Sequence, residues 1–565
     1  MSLFGSIQMA GNTLQAMQIG LHVVGNNIAN ANTPGFIRER TIYTPAPVQR
    51  IGSLSVGLGV EIAGIVQSVD RFAEERLRDA GSDRASADIQ QKTYRELESI
   101  LGELSDTDVS SSLTGFFNSI DEIIKQPEEM SVRNLTVQAG KSLATTVNTL
   151  ARRVDTVYKD FGQVVKNLAS EVNTLTEQIS KLNLQIVALE GGSAKATEAG
   201  ALRSQRNTAV KRLAEIMDVK VKETSTGATN ISVGGELIVS EGTRRAVKTN
   251  FGADKSGMTA TIAFADNNDE LRVAGGELHG VYSARDEIVG GFIDRLDQFA
   301  ASMIFEFNKV YSQGQGASGF STISSQNEVN DPHAPLDAAG LAFTPVNGQF
   351  ELQVRNTATG LTERHSILVD LNGLDGDMSL ASLAAQLNGI SGVNAQVTAD
   401  NLLKVSAESA ETQLAFSGDT SGLLAALGIN TFFTGTGAAN MGINQVVAAD
   451  GSKFAAALDG IGVGTENALK LVSLHDTGLA SLSGNSITGL YDQLVNETAQ
   501  GSTVAASIAD GFSVFEQTLE ASAQAVSGVN LDEEAIDMIL LQRTYQASAR
   551  YISTLSELMD ILVAL

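Results

Sequence analysis

Residues 3–36 read LFGSIQMAGNTLQAMQIGLHVVGNNIANANTPGF, and they decide the fold when set beside residues 531–565. Apolar or small side chains fall at Leu3, Ile7, Ala10, Leu14, Met17, Leu21, Val24 and Ile28. The steps alternate four and three, the heptad seam of a helix that needs a helical partner. The same pattern returns at Met538, Leu541, Tyr545, Ser548, Ile552, Leu555, Met559 and Leu562. Neither segment can bury its stripe alone, so the two ends must pack on each other or on copies of themselves. With no evident partner for either seam inside one chain, the ends are expected to be unpaired and largely disordered until assembly.

The 565 residues are enough for several domains. Hydrophobic content of 43% supports packed cores, whereas aromatics at 5% and the absence of Trp point to long thin helical assemblies. A net charge of −26 and a pI near 4.6 exclude the basic footprint that nucleic acid requires, and disfavour an anionic membrane surface. No cysteine is present, which removes disulfides and thiolate metal sites. The five histidines, His22, His279, His333, His365 and His475, form no i,i+3 or i,i+4 pair, so no zinc site is expected. No run of eighteen apolar residues suggests a membrane span. The N-terminus lacks a basic n-region and a small-residue cleavage site, so export would need a route without a cleaved signal peptide.

The pattern along the chain predicts a mainly α protein with β-containing insertions. A first helix is expected over Ser2–Ile28, ended by the asparagines and Pro34-Gly35. Short extended segments should fill Ile42–Val69, followed by broken helix over Asp70–Leu101 and a second short helix ending at Lys125. A very long helix is predicted from Ser131 to Leu189, with Leu202–Met217 returning as its antiparallel partner. Period-two alternation marks a β-rich patch near 219–275. Helix over Val281–Tyr311, with Phe292, Phe299 and Phe307 on one face, reads as core rather than a cofactor pocket. Strand-like runs between 315 and 447 surround a short helix at Leu380–Leu387 and read as an inserted α+β domain. Helices are expected again over Leu458–Asp476, Ile487–Thr498 and Thr503–Val526. Asn530 with Glu533 forms a capping-box-like start to the last helix. The expected domains are 1–40 with 527–565, a terminal helical inner domain of coiled-coil character; 41–314 with 448–526, a long-helix rod domain; and 315–447, the inserted outer domain.

Catalytic chemistry is hard to find. Gly314-Gln315-Gly316-Ala317-Ser318-Gly319 matches G-x-G-x-x-G, yet it follows a helix rather than a strand and fails the dinucleotide test. Gly140-Lys141-Ser142 resembles the end of a phosphate-binding loop, but Leu135 stands where the first glycine should be. The acidic run Asp370–Asp377 lacks the ligand spacing of a calcium loop and reads as a solvated turn. No catalytic site, cofactor or metal is expected.

Four asparagines in seven residues exceed what a helix cap needs. Asn26-Asn27-Ile28-Ala29-Asn30, then Thr33-Pro34-Gly35-Phe36 and Arg38, resembles the N-terminal signature of the bacterial flagellar axial proteins: rod, hook and hook-associated. At the other end, Gly528-Val529-Asn530-Leu531-Asp532-Glu533, preceded by Ser527 and followed by Glu534, is similar to the start of the C-terminal helix in the hook-associated members. Leu541–Arg550 is like the terminal helix of the whole family. Leu202–Arg206 leading to Val219, Gly280–Asp286 and, more loosely, Ser421–Phe433 resemble the same members. Ser204 departs from the pattern, which expects an acidic residue there.

The resemblance implies a structural, non-enzymatic component joining hook to filament, a mechanical adaptor assembled as a ring; a rod or hook component is the alternative. It implies self-association through the two terminal seams, contacts with the hook protein and a second junction protein, and an export chaperone on the C-terminal helix. It also implies an extracellular place in the flagellum, reached without a cleaved signal peptide. An enzyme within 315–447 and a coiled-coil adhesin are the rival readings; the first lacks a nucleophile–base set and the second gives no reason for paired end motifs.

Overall fold

The computed structural model describes residues 3–51, 54–102, 108–191, 197–254, 257–374 and 376–564. Helix accounts for 55% of the protein, well above the globular average of about a third, and the sheets are small, so the expected fold class is the observed one. The chain divides into two compact units. One comprises Met1–Thr93, Lys159–Glu287 and Thr503–Leu565, the other Tyr94–Tyr158 and Ile288–Ser502.

In chain order, helix α1 (Leu3–Asn30) leads into strands β1 (Glu39–Pro45), β2 (Val48–Ile51), β3 (Leu54–Gly57) and β4 (Val60–Gln67). β1 pairs antiparallel with β4, with an irregularity at Ile42/Tyr43, and β2–β3 form the hairpin between them. Helix α2 (Arg71–Gly102) is one uninterrupted helix where breaks were expected. α3 (Val109–Lys125) is capped by Asp108, whose side chain accepts from the Ser111 amide. α4 (Met130–Glu190) has 61 residues and a length of about 90 Å. It ends one residue after the expected Leu189. α5 (Gly200–Ile216) is followed by a four-stranded antiparallel sheet of β5 (Val219–Glu223), β6 (Thr229–Val233), β7 (Glu236–Ser240) and β8 (Thr243–Arg244). A hairpin of β9 (Val247–Asp254) and β10 (Gly257–Phe264) completes the β-rich patch.

α6 (Gly276–Ser283) and α7 (Gly290–Tyr311) are separated by a π-helical turn, Ala284–Val289, inside what periodicity read as one helix. The turn carries the buried Arg285, which donates to the Ala260 carbonyl at 2.6 Å. After α7 come β11 (Thr322–Ser324), β12 (Gly348–Asn356), β13 (Thr362–Val369), α8 (Leu380–Asn388), β14 (Val393–Val397), β15 (Leu403–Ala407), β16 (Thr412–Ser417) and α9 (Leu423–Leu427). They form two three-stranded sheets, ordered β13-β12-β16 and β11-β15-β14. One hydrophobic core, from Phe320 to Ile429, holds these strands and α8 together, and Phe305 of α7 stacks on Phe343 at 4.7 Å. The short pair β17 (Phe433–Thr434) and β18 (Gly442–Ile443) precedes α10 (Gln445–Ala449) and α11 (Glu466–Ser473). α12 (Ile487–Ser527) is continuous, not two helices, and at Gly501 the Tyr94 ring lies 2.5 Å from where a Cβ would stand. α13 (Leu531–Ala564) closes the chain.

The expected aromatic stripe of α7 is core. Phe307 lies within 5.1–6.3 Å, centroid to centroid, of Phe116, Phe117, Phe432 and Phe433. Gly140 belongs to this packing rather than to a phosphate site. Its Cβ would stand 2.5 Å from Phe432 and 3.0 Å from Phe116, both fully buried. A mid-helix Gly→Ala change ordinarily stabilises by up to about 1 kcal/mol. Here Gly140→Ala is expected to destabilise by about 1–3 kcal/mol through overpacking, read as a lowered urea midpoint in the full chain.

Candidate functional site at the paired chain ends

The terminal seams face each other within one chain, which corrects the expectation of unpaired ends. α1 and α13 run antiparallel: Asn27 meets Glu534, Gly20 meets Leu541, and Ala16 and Met17 share a small core with Leu541, Tyr545 and Ile62. On α13 the described seam residues Met538, Leu541, Tyr545, Ser548, Ile552 and Met559 are half-buried and Leu555 is buried. The side chain of Leu562 lies outside the described residues. On α1 the centre of the contact is shifted by about one residue from the leucines. Ser6, Ala10, Met17, Gly20, Val24 and Asn27 are buried, whereas Leu3, Ile7, Leu14, Leu21 and Ile28 are half-buried at the margin. Small residues at the centre allow close approach; a Cβ on Gly20 would collide with the Tyr43 hydroxyl and lie 3.3 Å from Leu541.

The signature residues lock this pair at one end. Helix α1 continues through the asparagines to Asn30, two residues beyond the predicted stop. Asn30 Nδ2 donates to the Asn26 carbonyl at 3.0 Å and to its side-chain oxygen at 2.9 Å, and the Thr33 amide donates to the Asn30 carbonyl. Pro34 is exposed, Gly35 takes φ +75° against Thr208, and Phe36 is half-buried. Asn27, 1% exposed, accepts from the Glu39 amide at 3.0 Å and donates to the Glu39 carbonyl at 2.9 Å and to Glu534 Oε2 at 3.0 Å. Arg38 Nε donates to Glu534 Oε1 at 2.7 Å, its Nη1 donates to Glu533 at 3.1 Å, and its amide donates to the Ser527 carbonyl. Both oxygens of a carboxylate that is 1% exposed are therefore satisfied from the other end of the chain.

The predicted capping box is replaced by a simple N-cap to the second residue of the helix. Asn530 Oδ1 accepts from the Asp532 amide at 3.0 Å, while Glu533 turns outward to Arg38. Gly528 and Val529 are half-buried in the turn and Leu531 is exposed. Ser204, where the family pattern expects an acid, accepts from Gln67 Nε2 at 2.9 Å. Arg38 and Glu534 could be noticed in the sequence as charges beside the motifs. That Asn27 and Glu534 touch could not, because 507 positions separate them.

Glu39, next to the clasp, has its carboxyl pushed above the usual range by burial and by the nearby charge of Glu198, against a hydrogen bond from Asn26. Such a group weakens the fold above its folded pKa and not below its unfolded one. Among the described residues no cluster of His, Asp or Glu suited to a metal ion occurs, and no helix is long and apolar enough to cross a membrane.

Comparison with known proteins follows the same geography. The model described as "Flagella basal body rod protein" matches residues 7–36, and that for "Flagellar basal body rod FlgEFG protein C-terminal" matches 521–565. The model for "Flagellar hook-associated protein FlgK helical domain" matches 94–323. Both ends and the helical middle thus place the chain with the flagellar axial proteins. Its full-length similarity is to flagellar hook-associated protein 1. The relative from Bacillus subtilis is 23% identical over 99% of this chain and 97% of its own length; that from Escherichia coli is 24% identical over 99% of each. The chain is also similar to the solved flagellar hook junction protein FlgK from Burkholderia pseudomallei, at TM-score 0.49 and 12% identity, over 80% of this chain and all of that one.

Two predictions test the clasp. Glu534→Ala strands Arg38 and Asn27 and is expected to cost about 2–3 kcal/mol, less than a fully buried pair because Arg38 is partly exposed. The same cost should not be paid twice in the Arg38→Ala/Glu534→Ala double variant, so a coupling of at least about 1 kcal/mol is expected from urea titrations. Glu39→Gln is expected to stabilise at pH 8, with the gain vanishing as pH falls to the ordinary glutamate range, in thermal melts across pH.

Proposed function

We propose that this protein joins the flagellar hook to the filament as a mechanical adaptor without catalytic activity. The observation that carries the reading is the clasp: the two family motifs at opposite ends of the chain converge on Glu534, so the motif exists to hold the terminal helices as a pair. Held so, α13 offers a second apolar face, with Ile536, Leu540, Leu558 and Ile561 at 66, 61, 51 and 58% exposure. That face packs against neighbouring copies in a ring, forming the inner layer from 1–40 and 527–565. The rod region, 41–314 with 448–526, makes the middle layer and 315–447 the outer surface. One end of the ring meets the hook protein and the other a second junction protein. Export proceeds without a cleaved signal peptide, and a chaperone covers the C-terminal helix until assembly, which is consistent with its exposed apolar residues. The protein then lies outside the cell, in the flagellum.

Deletion of the gene in frame is expected to leave hooks without filaments by electron microscopy, with flagellin lost to the medium. Absent hooks would move the protein down to the rod or hook. Normal filaments would end the junction reading.

A further inference from the structure

α12 carries two different faces. Ala505, Ala509, Leu519 and Ala523 are buried. Another face exposes Val504, Ile508, Val514, Phe515 and Val526 at 52, 49, 63, 44 and 45%. Positions 504, 508, 511, 515, 518, 522 and 526 follow one another in threes and fours, the repeat by which one helix faces another. None of them is charged, although charged residues make up 18% of the chain. At the centre stands Gly511. Among the described residues nothing lies within 4 Å of where its Cβ would be, unlike Gly501 in the same helix. A glycine inside a helix costs about 1 kcal/mol relative to alanine, and no contact among the described residues accounts for it.

We propose that the Val504–Val526 face is a close helix–helix contact with a second copy of this chain, with Gly511 letting the two backbones approach. The inference rests on the assembly reading above and adds to it a surface outside the terminal helices. Charge selects the occupant. Each copy carries a net −26, so copies repel except through a surface without carboxylates, and this one has none. A basic partner would find no counter-charge here. The face also leads through the turn at 528–530 into α13, whose Leu531, Ile536 and Leu540 are exposed, so one subunit contact can run along both helices.

The test uses the full chain in flagellated cells, with a benzophenone amino acid in place of Phe515. A photo-adduct of twice the chain's mass, absent when the probe replaces buried Leu519, is expected. Gly511→Ala should raise the melting temperature of the purified monomer, and Gly511→Leu should reduce filament-bearing cells about tenfold. A merely structural glycine would not separate these two readouts. If the protein sits on flagella but the probe reaches only another protein, or nothing, or if Gly511→Leu assembles normally, the contact is overturned and the junction reading stands. A chain absent from flagella overturns the junction reading and this inference with it.

Discussion

The pairing of the two chain ends hangs on one buried carboxylate. Glu534 has almost no contact with solvent, and its two oxygens are met by Arg38 and Asn27 from the opposite end of the chain. A charge in that position is tolerated only when paired and hydrogen-bonded, so the helices cannot slide past each other without leaving it stranded. Apolar seams alone do not prevent such sliding, because a heptad repeat matches itself at every seventh residue. The clasp fixes the register that the seams leave open.

Elsewhere the same unit also relies on polar knots. Asn183 bonds the backbone of Thr229 and Glu241 and accepts from buried Arg206, whose pKa is pushed down to about 10 by burial and by neighbouring Arg203. Arg203 binds Glu190 bidentately and Glu223 at 2.7 Å. Burial raises the Glu190 carboxyl, but the hydrogen bonds from Arg203 and the Ala199 amide outweigh it and hold the group below its usual range. The second unit is held differently, by a cluster of phenylalanines into which Gly140 and Arg133 are fitted. The same unit also has a second, mainly aliphatic core, from Phe320 to Ile429.

Much of this was legible. The heptad spacing marked both terminal helices, and both form. The long helix was found within a residue or so of each end, since its periodicity runs unbroken for many turns. The misses have physical causes. The π turn at Ala284–Val289 is too short for apolar spacing to separate it from the α-helix on either side. Nothing local tells that one helix runs through Gly501, and the α1 centre moved from leucines to small residues because the Tyr43 hydroxyl and Leu541 of α13 both come close at Gly20.

The sequence by itself determined the helical class, the two end seams, the absence of cysteine chemistry and, through its motifs, the resemblance to axial proteins. Local spacing and composition are sufficient for those, because each is a property of neighbours along the chain. Only the tertiary structure decided that the seams pair with each other, and that Asn27, Arg38 and Glu534 are one site. It also decided which face of α12 is left uncovered. These depend on contacts between residues hundreds of positions apart, and no local period encodes which of several apolar faces finds a partner.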